Sequence, residues 1–143
     1  MSKGDTFEND LLKLIFNATA IANIADNAAS SPLTNLYVAL HTADPGESGT
    51  QSTSEISYTG YARVAVARTS GGWTITSSSV SPAADITFGT MTAGTGGTAT
   101  YASIGVASSG ATKILYSGAL SPSQVVANGV APIVKAGSTI TED

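Results

Sequence analysis

The first periodic pattern along the chain lies near its N-terminus. Apolar residues recur there three and four positions apart, the spacing of one face of an α-helix, namely at Phe7, Leu11, Leu14, Ile15 and Ala18. Asp5 can cap the first turn, and Glu8 three positions later completes a capping-box-like pair. The pattern therefore predicts an amphipathic helix from about Thr6 to Asn17, with Glu8 on its polar face.

This helix has two interpretations. It either covers an open end of the chain's own sheet, as amphipathic helices commonly do, or it docks on a neighbouring subunit. The Ala-rich stretch 19–29 that follows predicts a short second helix, which ends before Pro32 because proline disfavours helix in the residue preceding it.

From residue 36 onward the pattern changes to short apolar or alternating runs. Leu36–His41 is aliphatic, aromatic and β-branched and contains no Gly or Pro, which predicts a buried strand. Tyr61–Ala67 alternates, which predicts a strand with one drier face. A long polar loop joins the two strands and opens with the turn Asp44-Pro45-Gly46.

Further short runs bounded by Gly, Pro or Ser predict the remaining strands: Trp73–Thr76, Asp85–Phe88, Thr98–Ala107, Lys113–Leu120, Gln124–Ala127, Val130–Val134 and Ser138–Thr141. The Gly-containing turn after Arg68 predicts a hairpin between Tyr61–Ala67 and Trp73–Thr76, and Asn128-Gly129 predicts a second hairpin. Pro122 is expected to end the strand before it.

The predicted strands define a fold class. About eight short strands separated by turns favour an all-β fold, an antiparallel β-sandwich of jelly-roll-like form with an N-terminal helix. Its predicted core consists of Leu36, Val38, Leu40, Val64, Val66, Ile86, Phe88, Ile104, Val106, Ile114 and Tyr116. At 143 residues, the chain is most simply a single domain, residues 1–143, with enough length to bury a core of its own.

Composition removes several functional classes. The chain has no cysteine, which excludes disulfides and thiolate metal sites. Charged residues make up 11% and the formal net charge is −4, which argues against nucleic acid as a partner, because phosphate affinity comes from cations. No apolar run approaches the length that spans a bilayer, and no signal-peptide pattern is present, so neither a membrane nor secretion is predicted.

The sequence predicts no catalytic residues, no cofactor and no metal site. His41 is the single histidine, and no G-x-S-x-G elbow accompanies it. The acidic residues fall mainly in the predicted helix, the turns and the terminus, and aromatic residues are too scarce, at 6%, for a glycosidase cleft. Asp44 and Glu47 are the nearest approach to a calcium pair, without the spacing of a calcium-binding loop.

Six residues are candidates for contact with a partner protein. The predicted helix contributes Phe7 and Leu11, and the polar loops contribute Asp44, Glu47 and Thr95. Trp73, beside Gly71-Gly72, is either an exposed anchor of an interface or a core tryptophan.

Several motifs carry a resemblance to a known family. They are N-L-Y-V-A-L-H-T-A-D-P-G from residue 35, Y-T-G-Y-A-R from residue 58, F-E-N-D-L-L-K-L-I-F from residue 7, K-I-L-Y-S-G-A-L from residue 113 and S-T-I-T-E-D at the end. Together they make the chain similar to a family of small tailed-bacteriophage virion structural proteins, often labelled phage tail fibre protein and in some members suggestive of head decoration. The resemblance covers nearly the whole chain and implies location in the virion, after assembly in the bacterial cytoplasm.

The leading functional hypothesis is a non-enzymatic capsid decoration (cement) protein that binds the major capsid protein or another virion structural protein and stabilises the assembled head. The alternatives are a tail or tail-fibre structural component and a carbohydrate-binding domain for host adhesion. A homo-oligomer is predicted, with a trimer favoured, because closed symmetry multiplies the weak contacts that a small domain can make.

Overall fold

The computed structural model describes residues 5–21, 25 and 32–142. Within them the chain forms one helix and nine strands: α1 (Asp5–Asn17), β1 (Asn35–His41), β2 (Val64–Ala67), β3 (Trp73–Thr76), β4 (Ser79–Pro82), β5 (Ile86–Thr87), β6 (Gly97–Gly105), β7 (Ile114–Val126), β8 (Ile133–Val134) and β9 (Ile140–Thr141). The strands form sheets of order β2-β1-β6-β7, β3-β4-β9 and β5-β8. The predicted all-β class with one N-terminal helix is confirmed, and the mainly antiparallel sheets are consistent with a β-sandwich. No helix among the described residues is long and apolar enough to cross a membrane.

The contacts of the chain group into two compact units. Unit 1 comprises Met1–Asn35, Val66–Asp85 and Lys135–Asp143, and unit 2 comprises Leu36–Ala65 and Ile86–Val134. Neither unit is one continuous piece of chain. The single domain predicted from the sequence stays a prediction.

In unit 1, helix α1 packs on the sheet β3-β4-β9. Leu12 and Phe16 are fully buried, and the Phe16 ring meets the Trp73 ring edge-on, with their centroids 4.8 Å apart. Edge-to-face rings at this distance place the positive edge of one ring against the negative face of the other. Trp73 is therefore a core residue here, and its interpretation as an exposed interface anchor is wrong.

The helix position is confirmed, but its predicted buried stripe is wrong. The residues that α1 buries are Glu8, Leu12 and Phe16, whereas Phe7 is 40% exposed and Leu11 is half-buried. Apolar residues occupy more than one side of this helix, so the sequence offers two possible stripes. Packing against Trp73 selects the stripe that carries Phe16.

Arg68 closes the C-terminal end of α1. Its guanidinium donates to the carbonyls of Ile15 at 2.7 Å, Leu14 at 2.8 Å and Leu33 at 2.8 Å. The last carbonyls of a helix lack intrahelical partners, and α1 has no basic residue of its own in its last turn. The helix ends at Asn17, because Ala18 takes a left-handed φ of 53°.

The second helix predicted over 19–29 falls mostly outside the described residues. Ile21 and Ala25 are described, and each donates its backbone N–H to the other's carbonyl at 2.8 Å. This antiparallel bridge contradicts a helix running through those two positions.

The hairpin predicted between Tyr61–Ala67 and Trp73–Thr76 is also wrong. Strand β2 is shorter than predicted and lies beside β1, while β3 pairs with β4. The turn between β3 and β4 is Ser77-Ser78, where Ser77 has a φ of 55°. Gly or Asn usually occupies a turn position with this conformation, and serine rarely does. The sequence therefore carried no turn signal at Ser77.

In unit 2, strand β1 is central to the largest sheet. It pairs with β6 from Tyr37 opposite Gly105 to His41 opposite Tyr101, and its second half is buried on both faces. Six predicted core residues are buried, namely Leu36, Val38, Leu40, Ile86, Phe88 and Ile104. The others are only half-buried, namely Val64, Val66, Val106, Ile114 and Tyr116. Val64 and Val66 lie on the edge strand β2, Ile114 and Tyr116 lie on the edge strand β7, and Val106 follows the end of β6.

Two predictions near the end of unit 2 are corrected. Pro122 does not end the strand, since β7 continues to Val126 through a register shift opposite Thr100. The Asn128-Gly129 turn forms, but no ladder follows it, because β8 pairs with β5 instead. Pro132 has no N–H for a ladder, and the Gln124 side chain bonds both backbone groups of Ile133, at 2.6 and 2.9 Å.

Candidate functional site: the braced loop 42–59

The long polar loop 42–59 folds back along β1 in a defined conformation. Thr42 N–H donates to the Ser54 carbonyl at 2.8 Å, and Ile56 N–H donates to the Leu40 carbonyl at 2.9 Å. Gln51 N–H donates to the Thr112 carbonyl at 2.9 Å, which ties the loop to the segment before β7. A surface loop that the sequence suggested to be merely polar is thus held at several points.

Arg63 is the hub beneath this loop. Its guanidinium forms a two-pronged ion pair with Glu55, with both N–O distances at 2.7 Å. It also donates to the carbonyls of Gly110 at 2.8 Å and Ala107 at 3.1 Å. The hydrogen bond to Glu55 raises the pKa of Arg63 above its ordinary value, so this cation stays charged and joins loop 42–59 to segment 107–112.

Further polar side chains complete the network around Arg63. Tyr61 Oη donates to Glu55 Oε1 at 2.9 Å and accepts the Leu40 N–H at 3.1 Å. Burial, followed by smaller contributions including the hydrogen bond to Glu55, raises the pKa of Tyr61. Gln51 is fully buried, and its amide donates to the Tyr37 carbonyl at 2.9 Å. Each of these polar groups therefore has a partner that offsets its desolvation.

His41 forms a second part of the network. Its Nδ1 lies 2.8 Å from the Thr53 carbonyl, and its Nε2 lies 2.7 Å from Ser103 Oγ. Because a carbonyl only accepts, Nδ1 carries the proton, and in the neutral ring Nε2 accepts from the Ser103 hydroxyl. Burial lowers the pKa of His41 from its ordinary value of 6.5, which favours that neutral ring.

Ser103 and His41 are as close as a nucleophile and its general base, but a substrate cannot reach them. His41 is 0% and Ser103 is 1% exposed. A substrate carbonyl would have to reach Ser103 Oγ through packed sheet residues, and a nucleophile needs a site beside it for the reacting atom. The pair instead joins β1 to β6, and the other ring nitrogen of His41 holds the loop through the Thr53 carbonyl.

A shallow depression of about 400 Å³ lies above the network in unit 2. Its lining includes Tyr61, Arg63, Ser108 and Gly110. The two charged residues in its lining, Glu55 and Arg63, form an ion pair with each other. Their charges stabilise the fold, which leaves few hydrogen-bonding groups for a ligand.

The six candidate contact residues divide between the units, with Phe7, Leu11 and Trp73 in unit 1 and Asp44, Glu47 and Thr95 in unit 2. Asp44 and Glu47 share one exposed turn of the loop, in which Asp44 Oδ1 accepts the Gly46 N–H at 2.9 Å. Thr95 is exposed in the loop before β6, and Phe7 and Leu11 lie on α1. Among residues 5–21, 25 and 32–142, no group of three or more His, Asp or Glu side chains is placed to hold a metal ion.

Sequence reasoning missed most of the network. It placed His41 at the end of the predicted strand Leu36–His41, but it did not connect Ser103, Gln51 or Arg63 to it. One usable signal was present: Arg63 is one of only six basic residues and stands next to an apolar strand. A lone charge at such a position generally has a buried partner.

A family model described as Podophage GP4 fiber I protein gp80 matches residues 3–142. The match covers nearly the whole chain, including α1, loop 42–59 and all nine strands. No curated protein matches this sequence.

Proposed function

We propose that this chain, which belongs to the family Podophage GP4 fiber I protein gp80, acts as a non-enzymatic structural part of a phage fibre. Membership of this family makes it a virion component of the tail-fibre type.

The observation that carries the proposal is the braced loop 42–59. The scarce charges of unit 2 are used beneath it, where Arg63 and Glu55 hold it to segment 107–112. Above this base, the Asp44–Glu47 turn is exposed. A preordered surface loses little conformational entropy on binding, so it suits repeated contact with another virion structural protein.

The chemistry of the described residues also supports a role without turnover. The Ser103–His41 pair is buried, and Glu55 is bonded to Arg63 and Tyr61. These groups stabilise the fold, and none of them is placed beside an open space with a free acid or base.

We further propose that several copies act together, with a trimer favoured, through the polar loops 42–59 and 92–97. Both loops are rich in Ser, Thr and Gly and carry few charges. They suit hydrogen-bonded, hydrated contacts between subunits.

Head decoration, the leading hypothesis from the sequence, draws no support from a family described as a fibre protein. The fibre alternative draws that support, at the level of the structural class. A glycan-binding adhesion domain is the third hypothesis. The aromatic side chain that lines the depression, Tyr61, is half-buried and bonded to Glu55 and Leu40, which does not favour it as a sugar platform.

The decisive experiment locates the protein on intact particles. Gold-labelled antibodies against this chain should mark the fibres in electron micrographs. Label spread over the head would support decoration instead, and saturable binding of a glycan by the isolated chain would support adhesion.

A second experiment tests the contact turn. The double variant Asp44→Ala/Glu47→Ala should leave the circular dichroism unchanged and lower the number of copies incorporated per particle. Ser48→Ala, in the same exposed turn, is the uncharged control and should incorporate normally. Equal incorporation of all three proteins would remove the acidic turn from the proposal.

A further inference from the structure

Strand β7 is a long edge strand of the four-stranded sheet. It spans Ile114–Val126, 13 residues, and within the described part of the chain its one strand neighbour is β6. The opposite edge strand, β2, has only four residues, Val64–Ala67. A long edge strand presents a row of backbone N–H and C=O groups that can pair with another chain.

Charge, a common protection of edge strands, is absent from β7, although two register shifts and Pro122 interrupt its ladder. The strand contains no charged residue. Its pairing with β6 is regular over Tyr116–Ala119, and it shifts register between Ile114 and Tyr116 and again between Ala119 and Gln124, where its one proline, Pro122, lies. Natural edge strands commonly carry Lys or an inward charge to prevent association. Among the described residues, the β-bridge of loop 42–59 nearest to β7 joins Thr50 to Lys113, just before the strand begins.

Gly118, in the middle of this strand, has no explanation within the chain itself. A Cβ built there would meet nothing within 4 Å, and its φ lies outside the left-handed region. Neither packing nor backbone conformation therefore requires glycine. A glycine inside a strand weakens the strand, and it often marks a place where another backbone approaches closely.

We infer that β7 pairs antiparallel with β7 of a second copy of this chain, about a two-fold axis at Gly118. In the two pairs next to this centre the side chains match in size. Tyr116 of one copy lies opposite Leu120 of the other, so that large faces large, and Ser117 lies opposite Ala119, so that small faces small. Side chains directly opposite each other in an antiparallel pair are close neighbours, and such pairs stabilise a sheet.

Charge also favours a second copy as the occupant. With the axis at Gly118, Lys113 lies opposite Ser123, so no like charges are brought together along the strand. A two-fold contact uses the same surface on both copies and closes on itself, which satisfies the edge without extending into a fibril. The pairing is independent of the polar-loop contacts: a trimer that also paired through β7 would contain six copies.

Substitutions at the axis test this pairing. Gly118→Lys places two lysines opposite each other, and Gly118→Glu places two glutamates, so each variant alone should halve the assembly mass measured by light scattering. An equimolar mixture of the two should restore the mass of the parent, because only the mixed pair is attractive. Gly137→Lys is the matched control, since Gly137 is also open and outside the left-handed region, and it should keep the parent mass.

A cross-linking experiment covers the case in which the charged variants fold poorly. The chain has no cysteine, so Gly118→Cys introduces a single thiol. Opposite Cα atoms in an antiparallel pair are about 4.5–5.5 Å apart, within the range of about 4.4–6.8 Å that a disulfide bridges. Mild oxidation should give a covalent dimer of Gly118→Cys and none of Gly137→Cys. A monomeric parent at high concentration, an unchanged mass for Gly118→Lys, or equal cross-linking at both positions would overturn the inference.

Discussion

At the scale of single residues, Arg63 determines how the loop 42–59 is held. Its guanidinium reaches Glu55 in the loop and the carbonyls of Ala107 and Gly110 beyond it. The Arg63 side chain is 2% and the Glu55 side chain 16% exposed. Removing one partner of such a pair leaves the other charge buried without compensation.

We therefore expect Arg63→Ala to lower the free energy of unfolding by about 3–5 kcal/mol, the range for breaking a buried ion pair. The measurement is urea denaturation followed by circular dichroism. Lys135→Ala is the control, because Lys135 pairs with Asp85 at 2.8 Å while both side chains remain largely exposed. This control should cost about 0–1 kcal/mol. Equal losses in the two variants would show that Arg63 is not the hub of the network.

His41 predicts a dependence of stability on pH. Burial lowers the pKa of its imidazole below the ordinary 6.5, so below pH 6.5 the unfolded chain takes up a proton that the folded chain does not. The contribution of His41 to the free energy of unfolding should therefore be fully present above pH 6.5. It should be lost progressively as the pH drops from 6.5 toward the lower pKa of the folded state.

Urea midpoints measured between pH 7.5 and about 5 test this. His41→Gln should remove the part of the slope near pH 6, because His41 is the only histidine. Asp85, whose pKa is lowered by its hydrogen bond to Lys135, acts in a separate window: its contribution is lost as the pH falls below the ordinary 3.8. An identical slope in His41→Gln would assign the effect to other groups.

At the scale of elements, helix α1 shows how packing selects between two possible faces. The buried face carries Leu12 and Phe16, although Phe7 and Leu11 have the same helical spacing. The partner ring of Trp73 lies at Phe16, and a helix buries the face that fills the space beside it.

Phe16→Ala should lower the free energy of unfolding by about 3–5 kcal/mol, from lost transfer energy and the cavity left beside Trp73. Phe7→Ala is the matched control in the same helix, and at 40% exposure it should change stability by no more than about 0.5 kcal/mol. Thermal or urea unfolding of both variants is the measurement. A larger loss for Phe7→Ala than for Phe16→Ala would restore the stripe predicted from the sequence.

At the scale of the whole molecule, the two units are interleaved along the chain. Unit 1 is assembled from three segments and unit 2 from two, so neither can be separated by a single cut. Each needs the chain of the other to bring its own segments together, which favours one cooperative transition and supports a single folding domain.

Two probes of different origin test this cooperativity. Trp73 is the only tryptophan and lies in unit 1, so its fluorescence reports that unit. Hydrogen exchange of the β1 and β6 amides reports unit 2. We expect the same unfolding midpoint from both in urea. Two separated midpoints would divide the chain into two domains and contradict the prediction of one.

The sequence by itself determined the position of α1, of β1 and of most later strands, because those features follow from local periodicity and from the placement of Gly, Pro and Ser. It also determined the likeness to phage fibre proteins, through motifs spread over the chain. Only the tertiary structure decided which strands pair, which face of α1 is buried and how loop 42–59 is held. These depend on contacts between distant positions, such as Arg63 with Gly110 and His41 with Ser103. No local pattern encodes such a contact, because the sequence around each partner is that of an ordinary loop or strand.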